Sequence, residues 1–302
     1  MTMHIQKLDQ MFDVLKSKDK KVLVAAFAND NHTIGAVNMA VDMGIIDAIL
    51  VGDTHTMKGV CKLEGIDHNK FKMVQEADPQ KAAFKACEII NKGEGDLIMK
   101  GLVSTEQYMR AILNKEVGLM PPKAVLSHVT VMETPRYHKL LVVGDVAIIP
   151  APEMKEKLAI ANYLISTAHA LGIEKPKLAV LAASEQVSMK MQASIDGALM
   201  AKMADRGQIK GAFVDGPLSL DLAIDKESAE IKKVSGPVAG DADCILFPNI
   251  ESGNVFYKAN TKLAGGEQGA IVAGAKVPAV LSSRGDSVKT KLYSIALAAL
   301  QA

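Results

Sequence analysis

Residues 22–53 read VLVAAFANDNHTIGAVNMAVDMGIIDAILVGD, and this stretch decides the fold class. Val22 to Ala26 is an apolar run of strand length. The polar turn Asn29-Asp30-Asn31-His32 follows, and Ile34, Val37 and Val41 then recur at helical spacing until Gly44, a helix terminator. Asp47 to Val51 reads as the next strand and ends at Gly52-Asp53. Strand, helix and strand within about 30 residues make one βαβ unit, whose strands run parallel.

The theme continues outward. Asp78-Pro79 starts a helix with Ala83, Cys87 and Ile90 on one face and Gly93 closing it. Leu97 to Met99 is a strand, Lys100-Gly101 turns out of it, and Ser104 with Gln107 forms a capping box for a helix through Leu113. Val125 to Glu133 and Leu140 to Ile149 are strand-like, separated by Thr134-Pro135-Arg136-Tyr137-His138, and need not be parallel. Pro150-Ala151-Pro152 reads as a linker. Beyond it, Met154, Leu158, Ala161, Ile165 and Ala168 mark a helix stopped by Gly172. Strands at Leu178–Leu181, Ala212–Val214 and Cys244–Phe247 alternate with a helix around Ile195–Ala204 and one starting near Asn254. A last strand, Val277 to Leu281, leads through Ser282-Ser283-Arg284-Gly285 into a helix carrying Val288, Leu292, Ile295 and Ala299. The pattern predicts an α/β protein with a largely parallel sheet in each domain.

Composition narrows the function classes. A chain of 302 residues suggests two domains at about 150 residues each. Its 35 basic and 34 acidic residues leave a formal charge of +1, which gives no electrostatic footprint for nucleic acid or an anionic membrane. Hydrophobic residues at 49% supply real cores, while 4% aromatics and no Trp speak against base- or sugar-stacking platforms. Cys61, Cys87 and Cys244 are odd in number and far apart, so neither a disulfide framework nor a paired-thiol metal site is indicated. His32, His55, His68, His128, His138 and His169 show no paired ligand spacing. The first residues lack the apolar core of a signal peptide, and no run approaches the ~18 apolar residues of a membrane span, so a cytoplasmic protein is expected.

Three strand-to-helix turns carry atoms suited to an anion. In Lys100-Gly101-Leu102-Val103-Ser104-Thr105, Gly101 allows close backbone approach, Ser104 and Thr105 offer hydroxyls and Lys100 a charge, with Arg110 further into the helix. The same residues also suit an ordinary capped helix with solvated charges. Ser282-Ser283-Arg284-Gly285-Asp286-Ser287 combines hydroxyls, a planar bidentate donor, a glycine and a carboxylate, although Asp286 or Ser287 could simply cap the helix. Glu251-Ser252-Gly253-Asn254, continuing to Lys258, reads as a glycine turn capped by Asn254. Gly265-Gly266-Glu267-Gln268-Gly269 resembles a dinucleotide fingerprint but follows a helix, which is the wrong context.

Read together, Ala179–Glu185, Met203–Gly211, Val214–Asp221, Ala239–Asp243, Gly253–Lys258, Gly274–Pro278 and Leu281–Arg284 resemble the butyryl branch of the phosphate acetyl/butyryltransferase family. The resemblance covers essentially the whole chain. It implies reversible transfer of a short acyl group, butyryl favoured over acetyl, between coenzyme A and inorganic phosphate. It further implies a coenzyme A thioester as substrate, no tightly bound cofactor or metal, and a homodimer or larger homo-oligomer. Two isocitrate-dehydrogenase-like α/β domains with a cleft between them are expected: residues 1–149 with 277–302, and residues 150–276. By the family pattern Ser283 and Arg284 stabilise the transition state and bind the phosphoryl group. The family's base position matches Thr290, which cannot act as one, so the nearest carboxylate, Asp286, is nominated. Arg110 and Arg136 match substrate arginines, and Lys100, Ser104, Thr105, Asn254 and Lys258 complete the candidate phosphate and coenzyme A contacts. Val187-Ser188-Met189-Lys190-Met191 departs from the butyryl-branch pattern, which leaves acyl preference open. Two other readings stay open: a two-domain oxidoreductase of related fold, and a non-catalytic coenzyme A-binding protein.

Overall fold

The computed structural model describes residues 4–281 and 286–302. In chain order the elements are α1 (Gln10–Lys16), β1 (Lys21–Ala26), α2 (Asn31–Asp42), β2 (Ile46–Gly52), α3 (Thr54–Leu63), β3 (Lys72–Gln75), α4 (Pro79–Asn91), β4 (Leu97–Lys100) and α5 (Thr105–Ile112). Next come β5 (Ser127–Glu133), β6 (Leu141–Gly144), α6 (Met154–Ala170), β7 (Lys177–Leu181), α7 (Gln192–Asp205), β8 (Phe213–Leu218), α8 (Leu220–Ile224), α9 (Lys226–Ile231), β9 (Cys244–Leu246) and α10 (Ile250–Lys262). The chain finishes with β10 (Glu267–Ala273), β11 (Ala279–Val280) and α11 (Val288–Gln301). No helix among the described residues is long and apolar enough to cross a membrane.

The chain forms two compact units. The outer unit holds Asp9–Leu126 and Gly269–Ala302, and the central unit holds Ser127–Gln268 with the N-terminal residues through Leu8. The sequence places the changeovers at 149/150 and 276/277; in contacts they fall at 126/127 and 268/269. The physical reason is pairing: β5 joins β6 antiparallel, Thr130 opposite Val143, and β6 joins β9 in parallel, Val143 opposite Ile245.

In the outer unit the strand order is β3-β2-β1-β4-β11-β10, parallel except for the β10–β11 pair. Helices that follow strands here are started by a short polar side chain taking an otherwise orphaned N–H. Asp30 accepts from Thr33 at 2.9 Å, Asp53 from Thr56 at 2.8 Å, and Asp78 from Lys81 at 2.8 Å ahead of Pro79. α11 is buried along nearly its whole length, with Tyr293 stacked on Phe12 at 5.6 Å and its hydroxyl donating to Asp9 at 2.6 Å.

In the central unit the order is β5-β6-β9-β7-β8, parallel from β6 onward. The expected strand 140–149 stops at Gly144, because the buried Asp145 carboxylate captures the next backbone. It accepts from the N–H groups of Ala147 at 2.7 Å and Ile148 at 2.8 Å, and on its other oxygen from Ser127 Oγ and the His128 N–H. The glycine turn expected at 251–254 is helical. Asn249, not Asn254, caps α10, accepting the Ser252 N–H at 3.0 Å. Gly253 serves close packing, since a Cβ there would stand 2.3 Å from the Asp145 carbonyl oxygen. The Gly265–Gly269 segment follows α10, as expected, and its last residues open β10.

Asp241 ties three parts of the central unit. It meets His138 Nε2 at 2.8 Å, Lys139 Nζ at 3.0 Å and Lys177 Nζ, while Lys139 also reaches Asp243 at 2.7 Å. Burial works to raise the Asp241 pKa, but the hydrogen bonds from Lys177 and Lys139 outweigh it and hold the carboxyl at about 2.

These contacts give two predictions. Gly253→Ala lowers stability by about 1–3 kcal/mol, because backbone must move, and Gly59→Ala raises it by about 0.5–1 kcal/mol. Gly59 lies in α3, and a Cβ added there would meet nothing within 4 Å, so denaturant midpoints should move in opposite directions. For Asp241, the folded pKa lies below the ordinary 3.8, so its stabilisation is complete above that value and disappears as pH falls through about 2. The stability gap between wild type and Asp241→Asn, measured by denaturant titration, should close over that window and stay constant above it.

Candidate active site

Strand pairing brings together the ends of β4 and β11 in the outer unit. β4 lies between β1 and β11, with Lys100 opposite Ala26 and Met99 opposite Val280, all parallel. β4 and β11 therefore end side by side at the same edge of the sheet. This is the carboxyl edge, where open α/β sheets bind ligands.

After β4, the Gly101 N–H donates to the Ala26 carbonyl at 2.9 Å and the Leu102 N–H to the Phe27 carbonyl at 2.8 Å. A Cβ at position 101 would stand 2.4 Å from the Phe27 carbonyl oxygen, so only glycine fits. Lys100 is buried, and its ammonium donates to the carbonyls of Gly101 at 3.2 Å and Val103 at 3.0 Å. Its charge thus sits beneath the turn and shapes it. Ser104 and Gln107 form the expected capping box. The buried Tyr108 hydroxyl donates to the Ile98 carbonyl at 3.2 Å, fixing α5 on β4, and burial drives that phenol pKa well above its ordinary value. Thr105 is exposed in the first turn of α5. Arg110 lies about 9 Å farther along the helix axis than Ser104 and pairs with Glu106 at 2.7 Å on its own helix.

After β11, Ser283 and Arg284 lie outside the described residues. Asp286 follows them, and Ser287 caps α11, its Oγ accepting the Thr290 N–H at 3.0 Å. The Asp286 carbonyl accepts from the Lys291 ammonium at 3.1 Å. Lys291 is 5% exposed, and no sequence motif points to it. The available signal is its spacing: Val288, Lys291, Ile295 and Ala299 share one helix face, so a lysine falls on an apolar stripe.

Arg136, Asn254 and Lys258 belong to the central unit. Asn254 and Lys258 are one turn apart on α10, and Asn254 Nδ2 donates to the Val146 carbonyl at 3.0 Å. Arg136 does not join them. It lines a cavity of about 440 Å³ with Met132, Tyr137, Phe256 and Leu263, against the opposite face of α10. Among the described residues, no group of three or more His, Cys, Asp and Glu is placed to hold a metal ion. In the outer unit a buried ammonium donates to backbone carbonyls just before each of two helices: Lys100 to Gly101 and Val103 before α5, and Lys291 to Asp286 before α11.

An α/β protein with anion-directed turns at the carboxyl edge of its sheet is the class that fold and site define. Residues 71–299 match the family described as phosphate acetyl/butaryl transferase, and the chain belongs to that family. It is 47% identical to the phosphate butyryltransferase of Clostridium acetobutylicum over 99% of each chain. It is 37% identical to the phosphate acetyltransferase of Thermotoga maritima over 97% of this chain and 99% of that one. Among solved structures it resembles a branched-chain phosphotransacylase from Enterococcus faecalis V583, with a TM-score of 0.82 and 29% identity over 93% of this chain and 98% of that one.

All three cysteines are buried. Burial raises the thiol pKa of Cys61, that of Cys87 to about 12 and that of Cys244 well above its ordinary value. Native protein at mildly alkaline pH should therefore show almost no reaction with an aromatic disulfide reagent, and all three thiols should react in guanidinium. Rapid labelling of any cysteine in the native state contradicts this placement.

Proposed function

We propose that this chain catalyses the reversible transfer of a short acyl group between coenzyme A and inorganic phosphate, with butyryl preferred over acetyl. The observation that carries the reading is the pairing of β4 with β11, which sets the ends of two strands, each followed in sequence by residues suited to an anion, beside one another in a member of this family. The 47% identity to a named butyryltransferase, against 37% to a named acetyltransferase, supports the butyryl preference.

In the direction that consumes acyl phosphate, the thiol of coenzyme A loses its proton to the Asp286 carboxylate. The thiolate attacks the acyl carbonyl carbon, and the oxygen of that carbonyl takes up negative charge. Ser283 donates to this oxyanion. The bond from carbonyl carbon to phosphate oxygen then breaks, and phosphate leaves toward Arg284 and the backbone donors near Ser104. Asp286 passes its proton to the departing phosphate, so the cycle closes without net proton change on the enzyme. Lys100 supplies fixed positive charge beneath the turn, and Thr105 and Arg110 are further phosphate contacts on α5. In the central unit, Asn254 and Lys258 are the candidates for anionic groups of coenzyme A, and Arg136, on the other side of α10, is a separate candidate. The enzyme works in the cytoplasm as a homo-oligomer, with acyl-CoA and phosphate as its partners and no tightly bound cofactor.

Purified protein should release free thiol from butyryl-CoA only when phosphate is present, and faster than from acetyl-, propionyl- or branched acyl-CoA. Arg284→Ala and Ser283→Ala should each lower turnover by about 100-fold, the usual cost of removing one transition-state donor. Undiminished turnover in both variants sinks the site assignment, and a higher rate on acetyl-CoA reverses the substrate preference.

A further inference from the structure

Lys291 is a buried cation that the chemistry above does not use. Its side chain is 5% exposed on the most buried helix of the outer unit, and no carboxylate among the described residues pairs with it. Burying an ammonium without a counter-charge costs several kcal/mol, so a fold that keeps one gains something from the charge. Its hydrogen bond shows where that charge acts: Nζ donates to the Asp286 carbonyl at 3.1 Å, in the turn that opens α11.

Peptide planarity turns this bond into an orientation. In a trans peptide the C=O and the following N–H point in opposite directions. Holding the Asp286 carbonyl inward on Lys291 therefore aims the Ser287 N–H away from the core, and that N–H has no acceptor among the described residues. The first-turn N–H groups of α11 follow in the same sense, as at any helix start. Lys100 does related work under the neighbouring turn, drawing the Gly101 and Val103 carbonyls onto its ammonium.

We infer that Lys291 is a positioning residue for phosphate: from beneath the turn it fixes the backbone donors at the start of α11 and supplies the positive charge that an incoming phosphate dianion balances. This deepens the proposed function and rests on it, because it names the residue that makes the α11 turn receptive to phosphate. Lys291 need not touch the ligand. Its ammonium lies one hydrogen bond behind the turn, in a poorly solvated region where a charge acts with little screening.

The experiment titrates inorganic phosphate against the melting temperature of wild type, Lys291→Met, Lys291→Gln and Lys291→Arg, with chloride holding ionic strength constant. Turnover on butyryl-CoA is followed in parallel. Wild type should be stabilised by phosphate. Lys291→Met and Lys291→Gln should each need about tenfold more phosphate for the same shift, and Lys291→Arg should recover most of the loss. In turnover, the KM for phosphate should rise in the two neutral variants while the KM for butyryl-CoA holds. Lys291→Gln separates charge from packing, since it keeps a donor near the Asp286 carbonyl and removes only the charge; it also stands in if Lys291→Met does not fold. Wild-type phosphate affinity in Lys291→Gln overturns the inference, as does a wild type whose melting temperature ignores phosphate. Absence of wild-type turnover alongside the predicted phosphate shifts counts against the acyl-transfer reading alone.

Discussion

Parallel pairing of β11 with β4 is the constraint on which the outer unit's site depends. The two strands are far apart in sequence, Leu97–Lys100 and Ala279–Val280, yet adjacent strands of a sheet stand about 4.8 Å apart. The ends of β4 and β11 consequently stand beside each other at one sheet edge, and each strand is followed in the chain by a helix, α5 or α11, whose N-terminus carries partial positive charge. Gly101 permits this arrangement, because the turn after β4 passes within hydrogen-bond distance of the end of β1 and leaves no room for a side chain.

Buried charge governs the strand-end turns of both units, with opposite sign. In the central unit the Asp145 carboxylate draws the N–H groups of Ala147 and Ile148 inward, and so consumes the donors an anion would need. In the outer unit Lys100 and Lys291 draw carbonyls inward, which leaves donors facing outward. A turn built around a buried carboxylate holds the fold together. A turn built around a buried ammonium becomes receptive to phosphate. That difference also explains how a chain with a formal charge of +1 can serve anionic substrates: the useful charge is local and fixed, not spread over the surface.

Legibility follows the range of the interaction. Asp78 and Ser104 are readable as helix starts, and Asp30 lies in the polar turn read ahead of α2, because a cap involves residues only three positions apart; the cap at Asp53 and the helix α3 it starts go unread behind the strand that precedes them. Glu251–Asn254 misleads for the complementary reason. Gly253 is there for contact with Asp145, a residue far away in the chain, and not for a local turn. The strands β3 and β10 are hard to see in sequence because four residues exposed at both ends, or a strand entered from a glycine pair, carry little periodic signal. Lys100 is recognisable as a cation at the right turn, but its burial and the carbonyls it holds depend on how that turn folds back over it.

Local patterning by itself determined the α/β class, the starts of α2, α4 and α5, the strands of the first βαβ unit and the segments suited to an anion. These follow from the period of apolar residues and from short-range competition for backbone N–H groups. Resemblance of longer tracts supplied the family. Tertiary structure alone decided which strand ends are neighbours, where the two units exchange the chain, and that Lys291 points its charge into the α11 turn. Each of those depends on pairing or burial between residues distant in the chain, and a linear pattern carries no record of which distant partner removes a side chain from water.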